Sequence, residues 1–317
     1  MKRVVALLLL APLLAAAQTY PTKPVRVIIP LPPGSTPDVV GRTLATRLHE
    51  SLGQPFIVDN RSGAGGNIGT EAAAKAAPDG YTLLVSINGP IATAKHLYKD
   101  LPYDPDKDLA PISLLASAPQ MLVVVPQLNV GDFKGFIAYA RAHPGKLSYG
   151  SVGGGSASHL TMELLKSEAQ LFIVHIPYRG FPPAVTDMLA GNIQAMFAII
   201  PGVLPHVRAG RIKALAVTAL KRSALAAEVP SVAQLGMPQL ESLAWIGLLA
   251  PAGTPREVIA RLNEETQRAM RVPEVRESLG KQGFDVVASS PEEFARWIRA
   301  ESTKWSRVIR ASGATPD

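Results

Sequence analysis

The feature that most constrains the fold is a glycine-rich stretch, residues 149–160, which joins an apolar strand pattern to a helix pattern. Gly154 and its two glycine neighbours can adopt positive φ and leave their backbone N–H groups uncovered by side chains. Ser156 is a favourable N-cap for the helix that follows. Because bare amides at a helix N-terminus attract anions, the stretch predicts an anion-binding loop, and a plain chain-reversing turn is the alternative.

Two further loops repeat this arrangement, one at residues 32–38 and one at residues 60–69. Both follow apolar strand-like runs and both open into helices. Several loops of this kind can face one cleft, and the repetition therefore favours a binding site over three unrelated turns.

Strand patterns alternate with helix patterns along most of the chain, which predicts an α/β fold with mixed sheets flanked by helices. The predicted strands are residues 25–29, 56–58, 82–86, 112–116, 121–125, 147–149, 172–176, 193–200, 212–217 and 243–249. The predicted helices follow residue 36 and occupy 70–77, 133–142, 158–167 and 183–190, with two more near the C-terminus.

The length favours two lobes joined by two crossovers, which we expect at residues 116–121 and 242–247. The first lobe is predicted to comprise residues 18–118 and 242–317, and the second residues 119–241. Thr36 is expected to cap the first helix, and Thr254 and Ser290 are expected to begin capping boxes for the two terminal helices. These terminal helices are assigned to packing against the first lobe.

The N-terminus resembles a secretory signal peptide. Lys2 and Arg3 precede an apolar run at residues 4–14, and three alanines ending at Ala17 supply a cleavage site. Cleavage lowers the net charge from +7 to +5, and the remaining basic residues are scattered, which argues against a nucleic-acid surface. No later apolar run is long enough to span a bilayer, and the absence of cysteine excludes disulfides and thiolate metal sites.

Motifs for catalysis are weak. The glycine runs do not fit the dinucleotide fingerprint or the phosphate-binding loop of nucleotide hydrolases, and the histidines lack zinc-site spacing, so no cofactor or metal is predicted. The remaining enzyme hypothesis is a secreted hydrolase in which His159 activates Ser156 or Ser158. Its alternative is that His159 only orients the loop by hydrogen bonding. A transcriptional effector domain would carry DNA-binding helices where the signal peptide stands.

Several motifs together resemble the Bug-type extracytoplasmic solute receptors, the substrate-binding proteins of tripartite tricarboxylate transporters. The similarity covers nearly the whole mature chain. The motifs are Asp-Asn-Arg at 59–61 with the glycine run at 63–69, Ala-Pro-Asp-Gly-Tyr-Thr-Leu-Leu at 77–84, Leu-Pro-Tyr-Asp-Pro at 101–105, His-Ile-Pro-Tyr-Arg-Gly at 175–180, Ala-Leu-Ala-Val-Thr at 214–218, Val-Pro-Ser-Val at 229–232 and Pro-Ala-Gly-Thr-Pro at 251–255.

The resemblance implies a monomeric periplasmic binding protein of the type II-like fold. Its two lobes would close on the carboxylate of a small organic acid and deliver it to membrane components of the transporter. The implied ligand-binding residues are Pro33, Gly34, Ser35, Thr36, Asp38, Ser86, Asn88, Gly154, Gly155, Ser156, Ser158, Tyr178, Arg179 and Gly180, with His159, Ala198 and Ile199 in support. Asp38 is expected either to contact ligand or to support its own loop.

Two departures from the family pattern bear on the ligand. Ser35 stands where relatives usually carry a second glycine, and Pro37 follows, so the loop is expected to be stiffer. Ala198 and Ile199 replace an Asp-Asn pair that is common in relatives. Since Arg179 is the one cation among the implied site residues, the sequence favours a mono- or dicarboxylic acid with an apolar or aromatic body.

Overall fold

The computed structural model describes residues 20–316, and the predicted signal peptide at residues 1–17 lies outside them. The strands are β1 (Val25–Ile29), β2 (Phe56–Asn60), β3 (Thr82–Ile87), β4 (Leu109–Val124), β5 (Ser148–Ser151), β6 (Val174–Pro177), β7 (Ala195–Ile199), β8 (Lys213–Val217), β9 (Leu243–Pro251) and β10 (Asp285–Val286). The helices are α1 (Thr36–Leu52), α2 (Asn67–Ala74), α3 (Ala94–Leu97), α4 (Phe133–Ala142), α5 (Ala157–Ala169), α6 (Phe181–Ala190), α7 (Ile200–Arg208), α8 (Arg256–Arg271), α9 (Pro273–Lys281) and α10 (Pro291–Ser312).

The strands form a mixed sheet in the order β2-β1-β3-β9-β4-β7-β5-β6, and β8 and β10 also pair with β4. Strands β1, β2 and β3 are parallel to one another, and so are β5, β6 and β7. We call the part built on β1, β2, β3, β9 and the first half of β4 the first sheet. The second half of β4 with β5, β6, β7 and β8 is the second sheet. This arrangement confirms the predicted α/β class.

Strand β4 is continuous, whereas the sequence predicted two strands at 112–116 and 121–125. It pairs with β9 as far as Pro119, and from Gln120 onward it pairs with β7. Proline has no N–H to donate, so β4 could not complete its hydrogen bonds to a partner strand at Pro119. The change of partner at this residue therefore costs the strand no hydrogen bond that it would otherwise make. The strand therefore changes partners without ending.

Apolar side chains pack on both faces of the sheet. The first core includes Val27, Val40 and Leu248 and lies under α1 and α8. The second core includes Phe136 and Phe197 and belongs to the second sheet. A third cluster lies on the opposite face of the first sheet from the first core and contains members such as Ile28, Leu84 and Phe294.

The C-terminal helix α10 differs from its expected packing. Its N-terminal residues Phe294 and Ile298 belong to the third cluster on the first sheet. Trp305 and Ile309, two to three turns later, belong to the second core. The helix is long enough to reach both because 22 residues extend about 33 Å. It therefore packs against the second sheet as well as the first.

Of the helix starts predicted for α1, α8 and α10, the one at α10 is confirmed. Ser290 and Glu293 form the predicted capping box of α10. At α8, however, Pro255 occupies the N-cap and the Thr254 hydroxyl donates to the carbonyl of Pro251, so the second predicted box is wrong. At α1 the N-cap is Ser35, and Thr36 is already helical.

Four short elements among those labelled above were not predicted: α3, α7, α9 and β10. The apolar run at residues 193–200 was interpreted as one strand, but β7 ends at Ile199 and α7 begins at once with Pro201 in its first turn. Proline is favoured there because its missing N–H would have no helical partner. No helix within residues 20–316 combines the length and hydropathy of a membrane span.

Candidate functional site

The carboxyl ends of the parallel strands of both sheets meet near the middle of β4. Ile87, at the end of β3, pairs with Ile246 of β9, which in turn pairs with Ala116 of β4. Ile199, at the end of β7, pairs with Gln120 of β4. Four residues of strand separate Ala116 from Gln120, or about 13 Å. The loops that follow the strands therefore face one another across a cleft.

Three polar side-chain atoms at the first sheet's edge of this cleft are buried without a hydrogen-bond partner in residues 20–316. They are Ser35 Oγ after β1, Ser86 Oγ near the end of β3 and Asn88 Nδ2 directly after β3. Ser86 is 0% exposed and Asn88 is 3% exposed. Buried polar atoms are nearly always hydrogen-bonded, so three orphans at adjacent strand ends indicate a place for a polar ligand or for water.

Asp38 holds the loop that carries Ser35. Its Oδ2 accepts from the Gly34 N–H at 2.9 Å and from Arg42 Nε at 3.0 Å, and its Oδ1 accepts from Asn60 Nδ2 at 2.8 Å. Burial alone would raise the pKa of this carboxyl, but hydrogen bonds from Arg42, Gly34 and Asn60 outweigh burial and lower the pKa below its ordinary value. Asp38 thus supports its own loop, which is one of the two roles expected for it.

The neighbouring loop residues lie at the loop surface or at the helix start. Pro33 and Gly34 are exposed, and Gly34 has φ of +77°, which glycine adopts without strain. Thr36 is half-buried in the first turn of α1. Pro33, Gly34 and Thr36 are neighbours of Ser35 in the chain. Together with Ser35 they form the first of the segments predicted for the first-sheet side of the site.

Backbone N–H groups of the glycine loop of the second sheet are hydrogen-bonded to groups of the same segment. The Gly155 N–H donates to His159 Nδ1 at 3.0 Å, and the Ser156 N–H donates to the Gly153 carbonyl at 3.2 Å. The Gly153 N–H donates to Ser151 Oγ at 3.1 Å. A carboxylate expected at the Gly155 and Ser156 amides would have to compete with these bonds, because His159 of α5 accepts from the first amide and the Gly153 carbonyl accepts from the second.

The hydroxyls of this loop serve the helix start. Ser156 Oγ accepts from the His159 N–H, which confirms the predicted N-cap. Ser158 Oγ accepts from the Val152 N–H and lies 3.1 Å from Ser156 Oγ. Both serines are buried. The Ser158 contacts were not predicted from the sequence, because they depend on the rotamer of that side chain.

Gly155 also contacts the first sheet's side of the cleft. Thr93 Oγ1 lies 2.9 Å from the Gly155 carbonyl oxygen and 3.0 Å from the Gly89 carbonyl oxygen. A Cβ built on Gly155 would lie 2.7 Å from Leu97 Cδ1 and 2.8 Å from Thr93 Oγ1. The glycine is thus needed for close packing between the π-helical turn Gly89–Thr93 and this loop, a role that was not predicted.

His159 is buried in a stack of aromatic rings. Its ring is 4.0 Å from that of His175 with an interplanar angle of 3°, and Tyr149 stacks on His175 at 4.9 Å. Burial, with smaller contributions from His175 and Lys166, lowers the pKa of His159 to about 3. The imidazole is therefore neutral near pH 7.

The hydrolase hypothesis does not fit this arrangement. His159 Nδ1 accepts from a backbone amide, while the Ser156 and Ser158 hydroxyls are engaged with each other and with backbone N–H groups. In the described part of the chain His159 thus has the orienting role and not that of a base paired with a serine. Residues 20–316 contain no cluster of His, Cys, Asp and Glu suited to a metal ion.

The loop after β6 supplies the remaining predicted residues. Tyr178 donates its hydroxyl to Asp187 Oδ2 at 2.7 Å, and burial, followed by this bond, raises the pKa of Tyr178 to about 12. Arg179 is exposed, and Gly180 has φ of +109° at the N-cap of α6. The hydroxyl of Tyr178 is thus engaged, and its N–H donates to the Ser151 carbonyl at 2.9 Å, while its ring packs against the second core.

The two residues that end β7 are apolar and face opposite sides of the sheet. Ala198 is 1% exposed and belongs to the second core, whereas Ile199 is 9% exposed and packs with the first core. Phe181, which was not predicted as a site residue, packs against both cores. A signal for it existed in the sequence, since a large aromatic residue directly follows Gly180 at a helix start.

Comparisons with known proteins agree with this architecture. A family model described as "Tripartite tricarboxylate transporter family receptor" matches residues 40–314. Protein BugT of Bordetella pertussis is 39% identical over 300 residues, which cover 94% of this chain and 92% of BugT.

Two solved structures with bound acids are also similar. A protein of R. palustris solved with adipate is 34% identical with a TM-score of 0.86, and the match covers 94% of this chain and 100% of that protein. MatC from Rhodopseudomonas palustris, solved with bound malate, is 32% identical with a TM-score of 0.84, covering 92% of this chain and 100% of MatC.

Proposed function

The chain belongs to the tripartite tricarboxylate transporter receptor family, and we propose that it binds a small organic carboxylate in the cleft and delivers it to the membrane components of such a transporter. The bound adipate and malate of the two similar structures support an acid as ligand. Family membership also makes the chain a periplasmic binding protein with the two-lobed α/β fold.

The observation that carries the proposal is the trio of unpartnered buried groups at the ends of β1 and β3. Ser35 Oγ, Ser86 Oγ and Asn88 Nδ2 can all donate hydrogen bonds, and none of them has a partner in residues 20–316. Hydrogen bonds from neutral donors to a carboxylate are each stronger than neutral pairs, at about 1.5 to 3 kcal/mol. These donors can bind one carboxylate without any cation.

The opposing side of the site is proposed to come from the loop after β6. Arg179 is the cation there, and the Tyr178 carbonyl and the Gly180 backbone can bind the ligand directly or through water, since the Tyr178 N–H is already bonded to the Ser151 carbonyl. Gly154, Gly155, Ser156 and Ser158 are assigned a second role, that of shaping and supporting the opposing wall. This assignment is supported by their engagement with one another, with His159 and with Thr93.

The ligand class follows from the polar and apolar groups together. One cation, three neutral donors and the apolar residues Ala198 and Ile199 suit a mono- or dicarboxylic acid with an apolar or aromatic body. A tricarboxylate would need more cations, and an amino acid would need an acceptor for its ammonium group, whose unpaired burial costs several kcal/mol, on the order of 5.

The lobe boundaries are proposed at residues 118/119 and 241/242, which is supported by the change of β4 partners at Pro119 and by the start of β9 at Leu243. We further propose that the chain is exported, cleaved after Ala17 and active as a monomer. Mass spectrometry of the periplasmic fraction tests the cleavage, and a mature N-terminus other than Gln18 contradicts it. Light scattering tests the monomer.

A thermal-shift screen of small carboxylic acids tests the proposed function. A ligand at a hundredfold excess over its Kd stabilises the fold by about 2.7 kcal/mol. We expect at least one acid to raise Tm in the wild type, with the response weakened in Ser86→Ala. If no carboxylic acid shifts Tm while a neutral solute does, the proposal is wrong.

A further inference from the structure

Three large apolar residues stand at or just beyond the carboxyl ends of strands that lead to the proposed cleft. Ile87 ends β3, Ile199 ends β7, and Phe181 begins α6 four residues after β6 ends. All three pack with the first core, although two of them lie on elements of the second sheet. They therefore gather where the two sheets face each other.

Phe181 is distinct because it also packs against the second core. Its ring is only half-buried, so part of it remains accessible after both contacts are made. It follows Gly180, whose φ of +109° is restricted to glycine in practice and turns the chain toward the cleft. Arg179 stands two positions earlier on the same loop.

We propose that Phe181 is a specificity-determining residue, which selects acids with an unsubstituted apolar body over hydroxylated acids of the same length. This inference rests on the proposed function, since it assumes a carboxylate in the cleft. The physical reason is that a hydroxyl placed against Phe181, Ile199 and Ile87 loses its water and finds no side-chain acceptor in them. The unpaired hydroxyl lowers affinity by about tenfold or more.

Calorimetry with two matched pairs of acids tests the inference: succinate against malate, and propionate against lactate. Within each pair the acids differ by one hydroxyl. We expect the wild type to bind the unsubstituted acid about tenfold more tightly in at least one pair. Phe181→Asn, which supplies hydrogen-bonding groups, is expected to reduce that ratio to about threefold or less.

Phe181→Leu is the matched control because it keeps the site apolar, and we expect it to retain the wild-type preference. Circular dichroism and urea unfolding of all three proteins show whether each is folded. A merely structural role for Phe181 would change stability and both affinities together, leaving the ratio unaltered.

Three outcomes overturn the inference: a wild-type preference for the hydroxylated acid, a ratio unchanged in Phe181→Asn, or binding of none of the four acids. The first two leave the proposed function intact, because a carboxylate is still bound. The proposed function fails separately, when no member of the wider acid screen binds.

Discussion

The hydroxyl of Thr93 lies 2.9 Å from the carbonyl oxygen of Gly155 and joins the first sheet's side of the cleft to the glycine loop of the second. Thr93 is 0% exposed, so no bulk water replaces this contact. It holds the loop against the π-helical turn Gly89–Thr93.

Replacing Thr93 by Val removes the hydroxyl and keeps the shape. The Gly155 carbonyl then loses a buried donor, and we expect the free energy of unfolding to fall by about 1 to 3 kcal/mol. Urea denaturation measures this. Thr93→Ser retains the hydroxyl and is expected to lose less stability than Thr93→Val. An equal loss in both variants would show that the hydrogen bond contributes little.

Replacing Ser86 by Ala is expected to weaken ligand binding by about 1.5 to 3 kcal/mol while leaving the stability of the free protein unchanged or higher. The reason is that this hydroxyl has no protein partner in the described structure and is free to donate to a ligand. Thr266→Val on α8 is the matched control, since Thr266 Oγ1 is also buried without a partner there but lies away from the cleft. Calorimetry that finds equal affinity losses in both variants contradicts the assignment.

Replacing Asp38 by Asn is expected to lower the free energy of unfolding at pH 7 by about 1 to 3 kcal/mol, because three donors lose their charged acceptor. The folded-state pKa is below the unfolded value, so the contribution is present above the unfolded pKa of about 3.9 and is lost as the pH falls through the folded pKa. Urea unfolding at pH 7 and pH 3 should therefore show the difference between the two proteins shrinking at the lower pH. A difference that grows on acidification would be inconsistent with a depressed pKa.

The buried neutral His159 also makes the free energy of unfolding depend on pH, in this case because the folded state disfavours the charged form of the side chain. Its folded pKa is about 3, so below about pH 6.5 the unfolded chain binds a proton that the folded chain does not. The free energy of unfolding should fall by up to about 1.4 kcal/mol per pH unit below that point. His159→Asn keeps a hydrogen-bond acceptor without the titration, and a stability profile between pH 7 and pH 5 should be flatter for it. Parallel profiles would assign the dependence to other titratable groups.

Replacing Gly155 by Ala separates backbone strain from crowding. Gly155 has φ of +74°, and its new Cβ would lie within 3 Å of Leu97 and Thr93. Gly53 has φ of +73° with nothing within 4 Å, so Gly53→Ala carries the strain alone, roughly 1 kcal/mol. Thermal unfolding should show Gly155→Ala to be the more destabilised by 1 to 3 kcal/mol, on the order expected for overpacking. Equal losses would mean that the contact relaxes freely.

Local signals in the sequence were sufficient where one turn decides the structure. The Ser156 N-cap and the Ser290 capping box are both present because their partners lie three residues away. The use of the Gly155 amide was not predictable, since it depends on the rotamer of His159. The continuity of β4 was also missed, because a proline within an apolar run resembles a break when the partners on either side are unknown.

For the site, the predicted loops follow strands whose carboxyl ends lie near the middle of β4, and their contacts with a ligand stay a prediction. The polar groups of the glycine loop are hydrogen-bonded, whereas buried side-chain atoms of Ser35, Ser86 and Asn88 have no hydrogen-bond partner in the described structure. This difference is a property of the packed structure and not of residue type. The sequence did carry a signal for Phe181 in its place after Gly180, but its contacts with two cores join residues far apart in the chain and were not predictable.

The central position of β9 has a consequence for how the chain folds. This strand lies between β3 and β4, yet it is made after every other strand of the sheet except the short β10. The pairing of Leu84 with Leu249 closes a very long loop, and such closures slow folding more than they reduce stability. Until residues near 251 are available, β3 and the first half of β4 each lack a neighbour and expose an unprotected edge. An exported chain of this topology is therefore most prone to aggregation when the segment before β9 is present and β9 is not yet available to pair. A holding chaperone would act at that stage.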